Sequence, residues 1–168
     1  MNLVSKRLIY IKVNRSEFSN YLKWYTNDLV MKFITGRGLH LEEARLRFEK
    51  ALDINEKHPE LGFYTVKDKN ENTFVGIAKL VYLNEYQAEV GYGSMPEFWD
   101  QKYASEMLDC LINYSKEIPK IKELIAVVNE DNLASKKVLT KQNFKFYEKK
   151  KEEENILEWY KLVIRETT

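Results

Sequence analysis

Apolar residues recur along this chain at two periods, and the changes from one to the other divide it into elements. Residues 7–13, RLIYIKV, are rich in β-branched and aromatic types and predict a first strand. Ser16 is expected to cap a helix that carries Phe18, Tyr21, Leu22 and Tyr25 on one face, with a short helical turn after it at Leu29, Val30, Phe33 and Ile34. The TGRG stretch at 35–38 breaks that turn. Leu41, Ala44, Phe48, Ala51 and Leu52 keep the three-and-four spacing of an amphipathic helix over 41–56, closed by His58 and Pro59. LGFYTVKD at 61–68 and TFVGIAKLVYL at 73–83 then read as two strands joined by the turn KNEN, the second apolar enough to be central.

QAEVGYG at 87–93 is a fourth strand. Alternation puts Ala88, Val90 and Tyr92 on one face and Glu89, Gly91 and Gly93 on the other, so a carboxylate and two missing side chains look the same way. WDQKYASE then leads into a helix with Ala104, Met107, Leu108, Leu111, Ile112 and Ser115 on one stripe, stopping before Pro119. IKELIAVV at 121–128 is a short buried fifth strand, followed by a helix over 132–142. Strand, helix, strand, helix implies a right-handed crossover and a parallel pair. The ending, FKFYEKK and ILEWYKLVI around KEEEN, predicts a long hairpin with a solvated, charged turn.

At 168 residues the chain suits one domain, taken as 1–168. With 27 Lys and Arg against 26 Asp and Glu, it carries no overall charge to attract nucleic acid or an acidic membrane, so any anion site must be local. The opening MNLVSKRLIYIKV is too short and too interrupted by charge for a signal peptide or span, which makes the cytoplasm the expected location. A lone Cys110 among Met107, Leu108, Leu111 and Ile112 reads as a packed thiol, and two widely separated histidines give no metal pair.

The chemistry concentrates where the two parallel strands each end in a helix N-terminus, because open α/β sheets bind ligands there. Backbone N–H groups and the dipole over 101–105 suit an anion, with Gln101, Lys102 and Ser105 adding donors beside Tyr103 and Ala104. Gly91 and Gly93 are compatible with a bulge or a bend as well as with a ligand's close approach. Asn129, Asp131, Asn132 and Ser135 cluster at the next helix start, where Asp131 or Asn132 would serve as a cap.

GYGSMPEFWDQKYASEML at 91–108, followed by NEDNLASKKVLTKQNF at 129–144, resembles the GCN5-related N-acetyltransferases (GNAT), and among them the branch of ribosomal-protein N-terminal acetyltransferases. The two signals stand in order at the family's separation, and the element order agrees across essentially the whole chain. The resemblance implies an α/β fold with a mixed, mostly antiparallel central sheet, parallel only at its fourth and fifth strands, flanked by helices. It implies acetyl-coenzyme A as cosubstrate and no metal, with the pyrophosphate at 101–105 and the pantetheine arm between the two parallel strands. Carried over residue by residue, Asn132 matches a contact to that arm, Glu89 an acidic position that helps remove the amine proton, and Ser135 a serine that protonates the leaving thiolate. Backbone N–H groups near Ser94 and Met95 would polarise the thioester carbonyl.

The chain departs from the family at three points. Asp100 and Lys102 stand where the phosphate loop usually has glycines, Asn143 replaces a glycine near the end of the last helix, and Leu139 occupies the position of a tyrosine acid found in other branches. The expected acceptor is a primary amine, a peptide or protein N-terminus favoured over a small amine, with oligomeric state open. A degenerate coenzyme-binding module is the alternative suggested by the lost glycines, and a purely partner-binding protein the one suggested by 22 aromatic residues.

Overall fold

The computed structural model describes residues 3–166, so the outermost two residues at each end of the expected 1–168 span lie outside the described residues. The strands are β1 Leu3–Val4, β2 Leu8–Lys12, β3 Gly62–Asp68, β4 Phe74–Tyr82, β5 Gln87–Ser94, β6 Glu123–Asn129, β7 Lys145–Glu152 and β8 Asn155–Val163. The helices are α1 Phe18–Tyr25, α2 Asp28–Met31, α3 Leu41–Lys57, α4 Tyr103–Ser115 and α5 Leu133–Lys141. The strands form one sheet in the order β1-β2-β3-β4-β5-β6-β8-β7, antiparallel throughout except for the β5–β6 pair. The mixed α/β architecture is the expected one, with the parallel pair where the crossover through α4 required it.

Each face of the sheet buries its own core. Met107, Leu108 and Leu111 of α4 and Leu139 of α5 pack on Ala88, Val90 and Leu124. On the opposite face Tyr21, Trp24 and Tyr25 of α1 and Ala44, Phe48 and Ala51 of α3 pack around Ile77 and Met95. The apolar stripes account for both, since each helix has only one face able to leave water. Cys110 is a packed thiol in the first core, pushed up to about 11 chiefly by burial.

Two local expectations change. The cap before α1 is Asn14, whose side chain accepts from the Ser16 N–H at 2.9 Å and opens a single 3-10 turn over Arg15–Glu17. Ser16 instead donates its hydroxyl to the same oxygen. A two-residue strand, β1, also folds back on β2, too short to register as a pattern.

Candidate active site

The site begins where the parallel pair comes apart. β5 and β6 are in register only over Gln87–Glu89 and Glu123–Ile125. Beyond that point β5 keeps its ladder with β4 through Ser94, and β6 keeps its ladder with β8 through Asn129, so both strands continue with an empty side facing the gap. The unbroken β4–β5 register shows no bulge at Gly91 or Gly93. Instead, a side chain there would collide with a neighbour: a Cβ on Gly91 would lie 2.8 Å from the aliphatic stem of Lys79, and one on Gly93 2.6 Å from the indole of Trp24.

The gap opens into a cavity of about 320 Å³, within the range of small-molecule sites. Its lining comes from both faces of the sheet. Glu89 and Lys79 are on the α1–α3 side, paired at 3.0 Å. Asn132, Ser135 and Leu139 enter from α5, and Tyr92 meets Ser135 with the two hydroxyl oxygens 3.3 Å apart. The alternation read from the sequence therefore holds, and the gap joins its two faces. Burial pushes the Tyr92 phenol up to about 12 against the opposing pull of its bond to Ser135, so it is protonated at neutral pH.

Asn132 has two uses. Its Oδ1 caps α5 by accepting the Ser135 N–H at 3.2 Å, which leaves its amide NH₂ available to the cavity it lines. Asp131 is not the cap. Its own N–H donates to the Asn129 side chain at 2.9 Å.

Of the two proposed carbonyl-polarising donors, one is withdrawn. Met95 N–H donates to the Val75 carbonyl at 2.7 Å and is not free. Antiparallel alternation turns the N–H groups of Tyr92 and Ser94 the other way, toward the gap. The Ser94 and Tyr92 N–H groups are therefore the ones on the gap side of β5.

The start of α4 stands apart from this cavity. None of Gln101, Lys102, Tyr103, Ala104 and Ser105 is among the lining residues. The first helical bond runs from Glu106 N–H to the Lys102 carbonyl, so the N–H groups of Tyr103, Ala104 and Ser105 have no intrahelical partner and suit an anion. Lys102 is the N-cap rather than a first-turn residue, with φ 64°, and Asp100 has φ 61°. The loop thus keeps a backbone suited to glycine while carrying two charged side chains. Gln101 donates to the Glu97 carbonyl at 3.3 Å. Tyr103 is buried between Phe98 and the Arg7 guanidinium, so it offers backbone rather than phenol. A ligand with an anionic head and an amide-bearing arm fits this donor set: free N–H groups at the helix start, then an unpaired strand edge leading to the cavity.

Sequence reasoning missed Tyr92 and Lys79. Tyr92 shares its face with Ala88 and Val90, which pack in the α4 core, and only the parting of the strands lets its hydroxyl reach α5. Lys79 is brought to Glu89 by the β4–β5 register, which pairs it with Gly91.

A family model described as an acetyltransferase (GNAT) domain matches residues 7–145. The uncharacterized N-acetyltransferase YnaD of Bacillus subtilis (strain 168) is 24% identical over 143 residues, covering 84% of this chain and 81% of that one. Among solved structures, a GNAT-family acetyltransferase from Bacillus anthracis superposes with a TM-score of 0.81 at 21% identity, over 97% of this chain and 98% of the other. The ribosomal L7/L12 alpha-N-protein acetyltransferase RimL, in complex with coenzyme A, superposes with a TM-score of 0.83 at 16% identity, over 98% of both chains. Among the described residues no helix is long and apolar enough to cross a membrane, and no group of three or more potential metal ligands forms. A match of this extent, on a sheet parted at the expected pair of strands, assigns the chain: it belongs to the acetyltransferase (GNAT) family and is an N-acetyltransferase dependent on acetyl-coenzyme A.

Proposed function

We propose that the protein transfers acetyl directly from acetyl-coenzyme A to a primary amine, and that the amine is the N-terminus of a peptide or protein. The observation that carries this reading is the parted sheet. Thiol-side groups, Ser135 and Tyr92, lie on one face of the gap, and a carboxylate, Glu89, lies on the other. An amine arriving beside Glu89 attacks a thioester carbonyl held in the gap, and no acyl-enzyme is needed.

Glu89 takes the proton that the nitrogen must lose, because an ammonium has no lone pair with which to attack. To do so its carboxylate exchanges the Lys79 ammonium, 3.0 Å away, for the incoming amine. The Ser94 and Tyr92 N–H groups donate to the oxyanion as the C–N bond forms. As the C–S bond breaks, Ser135 gives its hydroxyl proton to the sulfur while taking one from the Tyr92 phenol, whose oxygen is reprotonated from solvent. Tyr92 holds Ser135 for that step: with the phenol donating to Ser135 Oγ, the serine's own proton is free to point away from it. The α4 N-terminus, Lys102 and the Asn132 amide would hold the coenzyme's anionic end and its arm.

RimL supports the acceptor class, being itself an alpha-N-protein acetyltransferase. The test is release of free thiol from acetyl-coenzyme A in the presence of peptide N-termini, polyamines or aminoglycosides. Turnover with peptides above the other two is expected, and turnover confined to the small amines overturns the acceptor class. The Lys79–Glu89 pair also favours a second reading, a coenzyme-binding module without turnover. Coenzyme binding with no thiol release for any amine supports that one.

A further inference from the structure

The acceptor end of the cavity holds a cation with no anionic partner among the described residues. The chain has six arginines. Four are ion-paired: Arg7 to Glu106 at 2.6 Å, Arg15 to Glu49 at 3.0 Å, Arg37 to Glu43 at 3.2 Å and Arg45 to Glu42 at 3.8 Å. Arg165 donates to the carbonyls of Lys116, Ile118, Pro119 and Ile121. Arg47 alone has neither an ion pair nor a hydrogen bond among the described residues. Three glutamates of its own helix, Glu42, Glu43 and Glu49, are already engaged by other arginines. Its guanidinium carbon stands 5.6 Å from the Tyr25 ring centre, and it lines the cavity beside Trp24, Tyr25, Phe33 and Ile34.

The other charges of that cavity, Lys79 and Glu89, neutralise each other. The acceptor end therefore presents an aromatic and aliphatic wall with one uncompensated positive charge. A polyamine approaching it meets repulsion from the guanidinium. A carboxylate meets a planar donor able to bind it in two places.

The geometry points to an acceptor that carries, next to its primary amine, an apolar side group and, beyond that, a carboxylate recognised by Arg47. This deepens the transferase reading and rests on it. The carboxylate has two possible sources, the α-carboxylate of a free amino acid or the acidic side chain of a peptide's second residue.

Steady-state acetylation of six amines separates these cases: Phe-Glu-amide, Phe-Gln-amide, Phe-Lys-amide, free phenylalanine, phenylalaninamide and spermidine. Wild type is expected to prefer Phe-Glu-amide to Phe-Gln-amide by roughly three- to five-fold in kcat/KM, mostly through KM, as a charge-assisted contact at an exposed side chain allows. A matching preference for phenylalanine over phenylalaninamide assigns the α-carboxylate as a source, and its absence restricts the contact to an acidic second residue. Arg47→Gln is expected to remove the discrimination, and Arg47→Glu to invert it toward Phe-Lys-amide. Coenzyme affinity, measured at equilibrium, is expected to be unchanged in both variants. Equal use of Phe-Glu-amide and Phe-Gln-amide by wild type together with equal use of phenylalanine and phenylalaninamide, or a preference for spermidine, overturns the acceptor assignment and leaves acetyl transfer standing. Coenzyme binding with no amine acetylated overturns both.

Discussion

Lys102 illustrates what a single residue can hide. Its identity suggested a cation added to a helix start, but the backbone under it is left-handed, a conformation that costs a residue with a Cβ about 1–2 kcal/mol. Replacement by glycine recovers most of that and loses some to the freer unfolded chain, for a net gain of about 0.5 kcal/mol. Lys102→Gly is therefore expected to unfold no earlier than wild type in denaturant, and to weaken coenzyme binding less than Lys102→Ala, which loses the charge and keeps the strain. Salt should weaken the wild type more than either variant. Earlier unfolding of the glycine variant would show that position 102 carries no strain. The Tyr92–Ser135 contact makes a second prediction. If the phenol acts through the serine, Tyr92→Phe and Ser135→Ala each lower kcat by roughly ten-fold or more with little change in coenzyme affinity, and the double variant is hardly worse than the poorer single one. Additive losses in that cycle would make the two hydroxyls independent. The placing of Glu89 on the glycine face of its strand, and of Asn132 and Ser135 together at a helix start, was legible because strand alternation and helix-start chemistry are local rules; the roles proposed for them come from the family resemblance. Tyr92, Lys79 and Arg47 were not, since each acquires its role from a neighbour distant in sequence.

Among the elements, periodicity located all the long ones, and the misses are the pieces too short to have a period. β1 has two residues, and the turn before α1 is capped by an asparagine two positions ahead of the expected serine. The end of α5 was readable from one residue. Asn143 takes φ 69°, and around it Phe144 N–H bonds to the Leu139 carbonyl at 3.0 Å while Asn143 N–H bonds to that of Thr140 at 3.1 Å, the paired closure of a helix ending in a left-handed residue. Asparagine tolerates this conformation where alanine does not, so Asn143→Ala should lower stability by about 1 kcal/mol and Asn143→Gly should not, as measured by chemical unfolding. Equal stability of the two variants would mean that the turn can reorganise. The parting of β5 from β6 could be anticipated only from the family resemblance, because the glycines of β5 also fit a bulge until the register is known.

For the molecule as a whole, three carboxylates tie distant elements together. Glu17 joins the turn before α1 to Thr65 and Lys67 of β3, Glu106 joins α4 to Ser5 and Arg7, and Glu158 joins β8 to Lys136 of α5. Burial works to raise all three, but their hydrogen bonds and cationic partners outweigh it and hold each below the usual carboxylate range. A group depressed in the folded state stabilises it fully above its unfolded value, about 4.3, and loses that contribution as pH falls through the lower folded value. The thermal midpoint is thus expected to be level from neutrality to about pH 5 and to fall below about pH 4.3, less steeply in Glu17→Gln. A midpoint that does not respond to acid would exclude these ties as sources of stability. One contact described above has an optical consequence. The Trp24 indole, buried against Gly93, is a wall of the cavity, whereas Trp99 is 46% exposed and absent from its lining. Filling the cavity changes the polarity around Trp24, the one of the three tryptophans that lines it, so with Trp99 and Trp159 replaced by phenylalanine the protein's own fluorescence becomes a label-free titration of acceptor binding.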